Sequence, residues 1–144
     1  MKYVKMQLES IECRFGPQPE PDEEIKQRLT ILGNGQIWLS HYNYGEPWKN
    51  PDHVFVRKEQ FCIPSEDAKE ILAQIGAYYA AHDPDEATDV GFWDLHLTTA
   101  DGQEISYYGS LCGGLDSANA RLSDLIRSKT KRKDLFLFDG KQDD

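Results

Sequence analysis

Apolar and polar positions alternate along most of this chain, and the places where the period changes mark its elements. Over residues 3–15, Val4, Met6 and Leu8 fall on one side and Lys5, Gln7 and Glu9 on the other, after which Ile11, Cys13 and Phe15 are apolar. A two-residue period that changes phase at Ser10 predicts a strand with a bulge, or one that changes partners, at that point. Residues 16–24, rich in proline and acid, read as a loop.

Residues 25–33 and 36–44 flank Asn34-Gly35 and predict a hairpin. Parity sets its loop length. A two-residue loop would place Ile31 opposite Trp38 and Leu32 opposite Ile37, with apolar groups on both faces. A three-residue loop, Gly33-Asn34-Gly35 with Gly35 left-handed, pairs Ile31 with Ile37 and Leu29 with Leu39 and gathers the aliphatics on one face. Residues 45–53 form a second loop, and residues 54–63, with Val54, Val56, Phe61 and Ile63, a further strand.

The period then lengthens to that of a helix. Ala68, Ile71, Leu72, Ile75, Tyr78 and Tyr79 make one apolar stripe, with Ser65 as the expected N-cap, Glu66 and Asp67 in the positive first turn, and an end before Pro84. After an acidic loop at 83–91, strands are predicted at 92–99 and 103–109. A three-residue loop Ala100-Asp101-Gly102 puts Trp93, Leu95 and Leu97 on the face of Ile105 and Tyr107. Asp94, His96, Thr98, Glu104, Ser106 and Tyr108 then share a polar face, the pattern of an antiparallel sheet covered on one side only. A turn at 111–116 leads to a second helix, capped by Asp116 or Ser117, with Ala118, Leu122, Leu125 and Ile126 turned inward. Leu135–Phe138 reads as a short final strand, and 141–144 as a frayed acidic tail.

The expectation is therefore an α+β fold spanning residues 1–140 as a single domain. It comprises a mainly antiparallel sheet of about six strands, in the order β-β-β-β-α-β-β-α-β, with two amphipathic helices on one face. The length of 144 residues suits a single domain with a real core, and 39% hydrophobic residues supply the apolar area to offset ordering entropy.

A formal net charge of −9 argues against nucleic acid and anionic membranes as partners and favours a basic protein partner. The cysteines Cys13, Cys62 and Cys112 are odd in number and form no CxxC pair, so neither a disulfide framework nor a metal finger is expected. No apolar run approaches the roughly 20 residues needed to cross a bilayer, and no apolar leader opens the chain. The cytoplasm is the expected compartment. No cofactor motif is present, so no cofactor is expected.

Five features could carry chemistry. Cys112, before Gly113-Gly114 and a helix start, could have an activated thiol with His96 as base; the competing role is a small buried side chain beside a glycine turn. The glycine pair could also seat a phosphate, although the lysine of a phosphate-binding loop is missing. Asp94 and His96 on the polar sheet face could bind a metal or move a proton, against the plainer role of a solvated face. The acidic loop Asp83–Asp89 departs from the EF-hand pattern, with Thr88 where glycine is required. Trp38, Tyr42, Tyr44 and Trp48 could form an aromatic binding surface or a second small core. The run Arg127–Lys133 suits the negative end of a helix better than nucleic acid.

Together these features predict a non-catalytic module binding a protein or small ligand, in one version an immunity- or antitoxin-like protein masking a basic effector. The alternative is a small enzyme using Cys112 or the Asp94/His96 face.

Overall fold

The computed structural model describes residues 2–12, 18–46, 48–84, 91–111 and 118–140. The strands are β1 (Tyr3–Ile11), β2 (Glu24–Leu32), β3 (Gln36–Asn43), β4 (Val54–Cys62), β5 (Phe92–Thr99) and β6 (Glu104–Ser110). The helices are α1 (Ser65–Ala81), between β4 and β5, and α2 (Ala118–Thr130), after β6. The strands form one six-stranded sheet in the order β4-β3-β2-β1-β5-β6, antiparallel at every pairing. The fold is α+β.

Both hairpin registers follow from apolar parity. Ile31 pairs with Ile37 and Leu29 with Leu39, while Leu97 pairs with Ile105 and Leu95 with Tyr107. Gly35 takes φ 96°. A β-carbon there would collide with the carbonyl oxygen of Ile63, so the turn needs glycine for space as well as for its left-handed backbone.

One sheet face carries Met6, Leu8, Leu29, Ile31, Ile37, Leu39, Trp93, Leu95 and Leu97, all buried, against Ala68, Ile71, Leu72, Ile75 and Tyr79 of α1 and Leu122 and Ile126 of α2. The helices run antiparallel. Lys129 near the end of α2 reaches Asp67 and Glu70 near the start of α1, at 3.3 and 2.9 Å.

Three details differ from the sequence expectation. The first is at Ser10, where the pairings to β2 and β5 run unbroken to Ile11 and the β1–β5 register shifts at Tyr3/Lys5 instead. Ser10 stays on the core face, 2% exposed, because its hydroxyl donates to the Leu137 carbonyl at 2.6 Å. A satisfied hydroxyl can sit in the core without the strand changing phase.

The second is the start of α1, where Ser65 is the first helical residue. Pro64 takes the N-cap position without a side-chain cap, and its carbonyl accepts from Asp67 and Ala68.

The third is Leu135–Phe138, which forms a turn rather than a strand, with Leu137 left-handed at φ 53°. All four side chains are buried, and the backbone is held by side chains in place of a ladder. Gln27 Oε1 accepts from Phe136 N at 2.9 Å, Ser123 Oγ from Phe138 N at 3.1 Å, and Asn119 Nδ2 donates to Phe138 O at 3.1 Å. The tail 141–144, the Asp116 and Ser117 caps, Cys13, Cys112 with its glycine pair, and most of the acidic loop lie outside the described residues.

Candidate functional site

Since both helices occupy one side of the sheet, the register of the pairings dictates the other side. One row across it runs Ser106, His96, Gln7, Thr30, Trp38 and Gln60; the next runs Tyr108, Asp94, Glu9, Arg28, Ser40 and Lys58. A third brings Lys26, Tyr42 and Phe55 together. This is the polar face expected of Asp94, His96, Thr98, Glu104, Ser106 and Tyr108, extended by β1 and β2. Lys5, Gln7, Glu9, Arg28, Asp94, His96, Thr98 and Glu104 line a groove of about 300 Å³ on it.

The groove is built from ion pairs. Arg28 donates to Glu9 Oε2 through Nε at 3.1 Å and Nη2 at 2.8 Å, and Lys26 approaches the other oxygen at 3.7 Å. The hydrogen bond to Glu9 raises the Arg28 pKa above its ordinary value. Asp94 stands directly opposite Glu9 in the register.

His96 Nδ1 lies 2.8 Å from Ser106 Oγ and 3.1 Å from Glu104 Oε1. Nucleophile activation of the serine–histidine–acid kind needs the hydroxyl on one ring nitrogen and the carboxylate on the other. Here both converge on the same nitrogen, so the arrangement orients the ring but relays no proton between them. Among the described residues no group of three or more His, Cys, Asp or Glu is placed to hold a metal ion.

Of the four aromatic candidates, Trp38 and Tyr42 lie on the open face as expected, separated by Ser40. Tyr42 meets Phe55 edge-on, with ring centroids 5.7 Å apart, and lies under Lys26 Nζ at 4.6 Å and Arg28 Cζ at 5.7 Å. Tyr44 packs instead against the His53 ring at 6.3 Å. Burial, then the charge of Lys26, pushes the His53 imidazole below its ordinary pKa, which favours the neutral ring. Trp48 stands 77% exposed in the loop before β4. The four do not form one cluster. The aromatic centre is Tyr42 with Phe55, joined to the groove through Arg28.

Sequence reasoning missed Phe55, whose place on the open face depends on an irregularity. The β3–β4 register shifts between His41 and Tyr42, so that His41 faces Arg57 and Tyr42 faces Phe55, with Val56 as the extra residue. It also missed an ionic network on the covered side, buried at His41 and partly exposed elsewhere. His41, 1% exposed, has Nδ1 at 2.6 Å from Glu24 Oε1 and Nε2 at 2.6 Å from Glu59 Oε2. An imidazolium donates to both carboxylates; a neutral ring donates to one and leaves the other contact to a carboxylic proton.

Arg132 continues the network to Glu59 at 2.9 Å and Asp134 at 2.7 Å. Its hydrogen bonds hold the Glu59 and Asp134 carboxyls below their ordinary values. The signal was present in the parity of β3, where Ile37 and Leu39 lead inward to His41. The network ties β2, β3, β4 and the segment after α2 together.

Three of the five cations in the run Arg127–Lys133, namely Arg127, Lys129 and Arg132, are spent on such internal pairs, while Lys131 and Lys133 are exposed. Arg127 joins Asp139 at 2.6 Å and Lys129 joins α1. Cys62 is exposed at the end of β4. No helix of the described residues is long and apolar enough to cross a membrane. A scan against models of known protein families finds no match, and a search of curated proteins finds none similar to this chain.

Proposed function

We propose that the chain is a non-catalytic binding protein that takes a basic protein partner on its open sheet face. The observation that carries this reading is the presence, on one uncovered surface, of the Tyr42/Phe55 aromatic centre and of a groove in which Asp94 and Glu104 stand beside Lys5 and the Glu9–Arg28 pair. Amphipathic rings sharing a face with carboxylates suit a partner that presents Lys or Arg on an apolar stem, because aromatic anchors supply contact area at low entropic cost and charge speeds encounter. The net charge of −9 works in the same direction at longer range. An immunity- or antitoxin-like role, masking a basic effector, is the biological form that fits best.

The same face supports an enzymatic reading less well, since His96 receives Ser106 and Glu104 on a single nitrogen.

The test is capture from native cytosol at low salt, followed by reconstitution with the purified partner. A stoichiometric complex with a basic protein is expected. It should weaken as salt rises and weaken further with Asp94→Lys or Tyr42→Ala, while Gln74→Lys on the helical side leaves it unchanged. Failure to recover a partner at low salt, or a complex indifferent to both face variants, would overturn the proposal.

A further inference from the structure

The sheet has two edges, and they differ in a way that bears on self-association. An edge strand offers unpaired backbone groups to any strand that can lie beside it, and natural proteins block such edges with charge and bulges. The β4 edge is blocked in this manner. It bulges at Val56, and a two-fold pairing centred on residue 57, 58 or 59 would set Arg57, Lys58 or Glu59 against its own copy.

The β6 edge has no bulge, and Glu104 at its start is its single charge. Its burial alternates from Glu104 to Tyr108 and ends at the buried Gly109 and Ser110, so the open stretch is centred on Ser106. The ladder phase is also fixed. Thr99 N donates to Gln103 O at 2.8 Å and Leu111 N to Gly91 O at 3.1 Å, so odd-numbered residues face β5. By the two-residue alternation of an antiparallel ladder, the N–H and C=O of Glu104, Ser106 and Tyr108 point outward. Among the described residues nothing pairs with them.

We infer that β6 is a self-association edge, pairing antiparallel with β6 of a second copy about a two-fold axis through Ser106. In this register Ser106 meets its own copy. Glu104 meets Tyr108 of the other copy, whose phenol can donate to the carboxylate. On the covered side Ile105 meets Tyr107, both half-buried in the single chain. No like charges oppose each other, and all three outward residues find backbone partners. The result is one continuous sheet across two copies with the helices on the same side, an isologous contact that closes on itself. Its contact area belongs to small, weak interfaces, so the dimer forms in a concentration-dependent way.

Sedimentation velocity from about 1 µM to about 1 mM covers the range of so small a contact. A monomer–dimer equilibrium is expected. Ser106→Pro removes the outward N–H of both copies without touching the ladder to β5. It should weaken the dimer by about 30-fold, the effect of losing two backbone hydrogen bonds. Ser106→Lys sets like charges across the axis and should weaken it too, which keeps the test intact if the proline variant misfolds. Gln60→Lys on the opposite edge should leave it unchanged. A chain monomeric throughout, a dimer insensitive to a folded Ser106 variant, or one equally sensitive to Gln60→Lys would overturn the inference.

Discussion

Single residues show how far packing can override local preference. Gly76 lies inside α1, where alanine would ordinarily be favoured by about 1 kcal/mol. A β-carbon at this position, however, would fall within the ring of Tyr3. Gly76→Ala should therefore destabilise the protein by about 1–3 kcal/mol, as overfilled sites do. In a Tyr3→Ala background the same change should become neutral or stabilising. A urea double-mutant cycle reads the sign reversal, and additive effects would show that the ring moves aside freely. Ser10 and His41 teach the related lesson that polar side chains can keep a core position when their partners are supplied. For Ser10 that partner lies 127 residues along the chain, so parity alone reads it as a phase change.

At the scale of elements, legibility followed the kind of signal. The hairpin registers were legible because Asn34-Gly35 and Asp101-Gly102 fix the turns and only one loop length puts Leu29, Ile31, Ile37 and Leu39 on the same side. The last apolar segment was not. Leu135–Phe138 has the composition of a strand, yet all four side chains are buried and its backbone bonds to the side chains of Ser10, Gln27, Asn119, Ser123 and Arg127. An apolar run specifies burial and leaves the backbone geometry open. The open face was legible as polar and Tyr42 as one of its aromatics, but Phe55 was not, because the bulge at Val56 re-aims it.

What secures the last segment is the Arg127–Asp139 pair, with side chains 9% and 5% exposed and further donation from Arg127 to the carbonyls of Leu135, Phe136 and Gly140. Arg127→Met should cost about 3–5 kcal/mol in denaturant unfolding, because Asp139 is left buried and uncompensated. Adding Asp139→Leu should recover much of the loss. If the single variant unfolds like wild type, the pair is not what closes the segment.

For the molecule as a whole, charge sets the response to acid. Glu59 and Asp134 have folded-state pKa values below their ordinary 4.5 and 3.8, through Arg132 first in each case. In the window below those ordinary values the unfolded chain binds protons that the folded one refuses. The stability these groups contribute is thus present at neutral pH and lost as pH falls through their folded values. Arg132→Met should lower stability at neutral pH and flatten its dependence on pH in this acidic window. Urea titrations at a series of pH values provide the check, and an unchanged acid slope would show that Arg132 leaves both carboxylates as they are in the unfolded chain. The exposure of both groups keeps the effect modest.

The central place of β1 has a consequence for how the protein is made. Its two neighbours are β2, next in line, and β5, encoded some ninety residues later, and Ser10 waits for Leu137 before its hydroxyl is satisfied. During synthesis the first four strands can emerge from the ribosome and pair as a meander, but one flank of the middle strand stays bare until the second hairpin appears. The oily side can then be sealed only once Phe138 has left the exit tunnel. Translation that halts short of that point leaves a sticky half-sheet, the species a chaperone would be expected to meet.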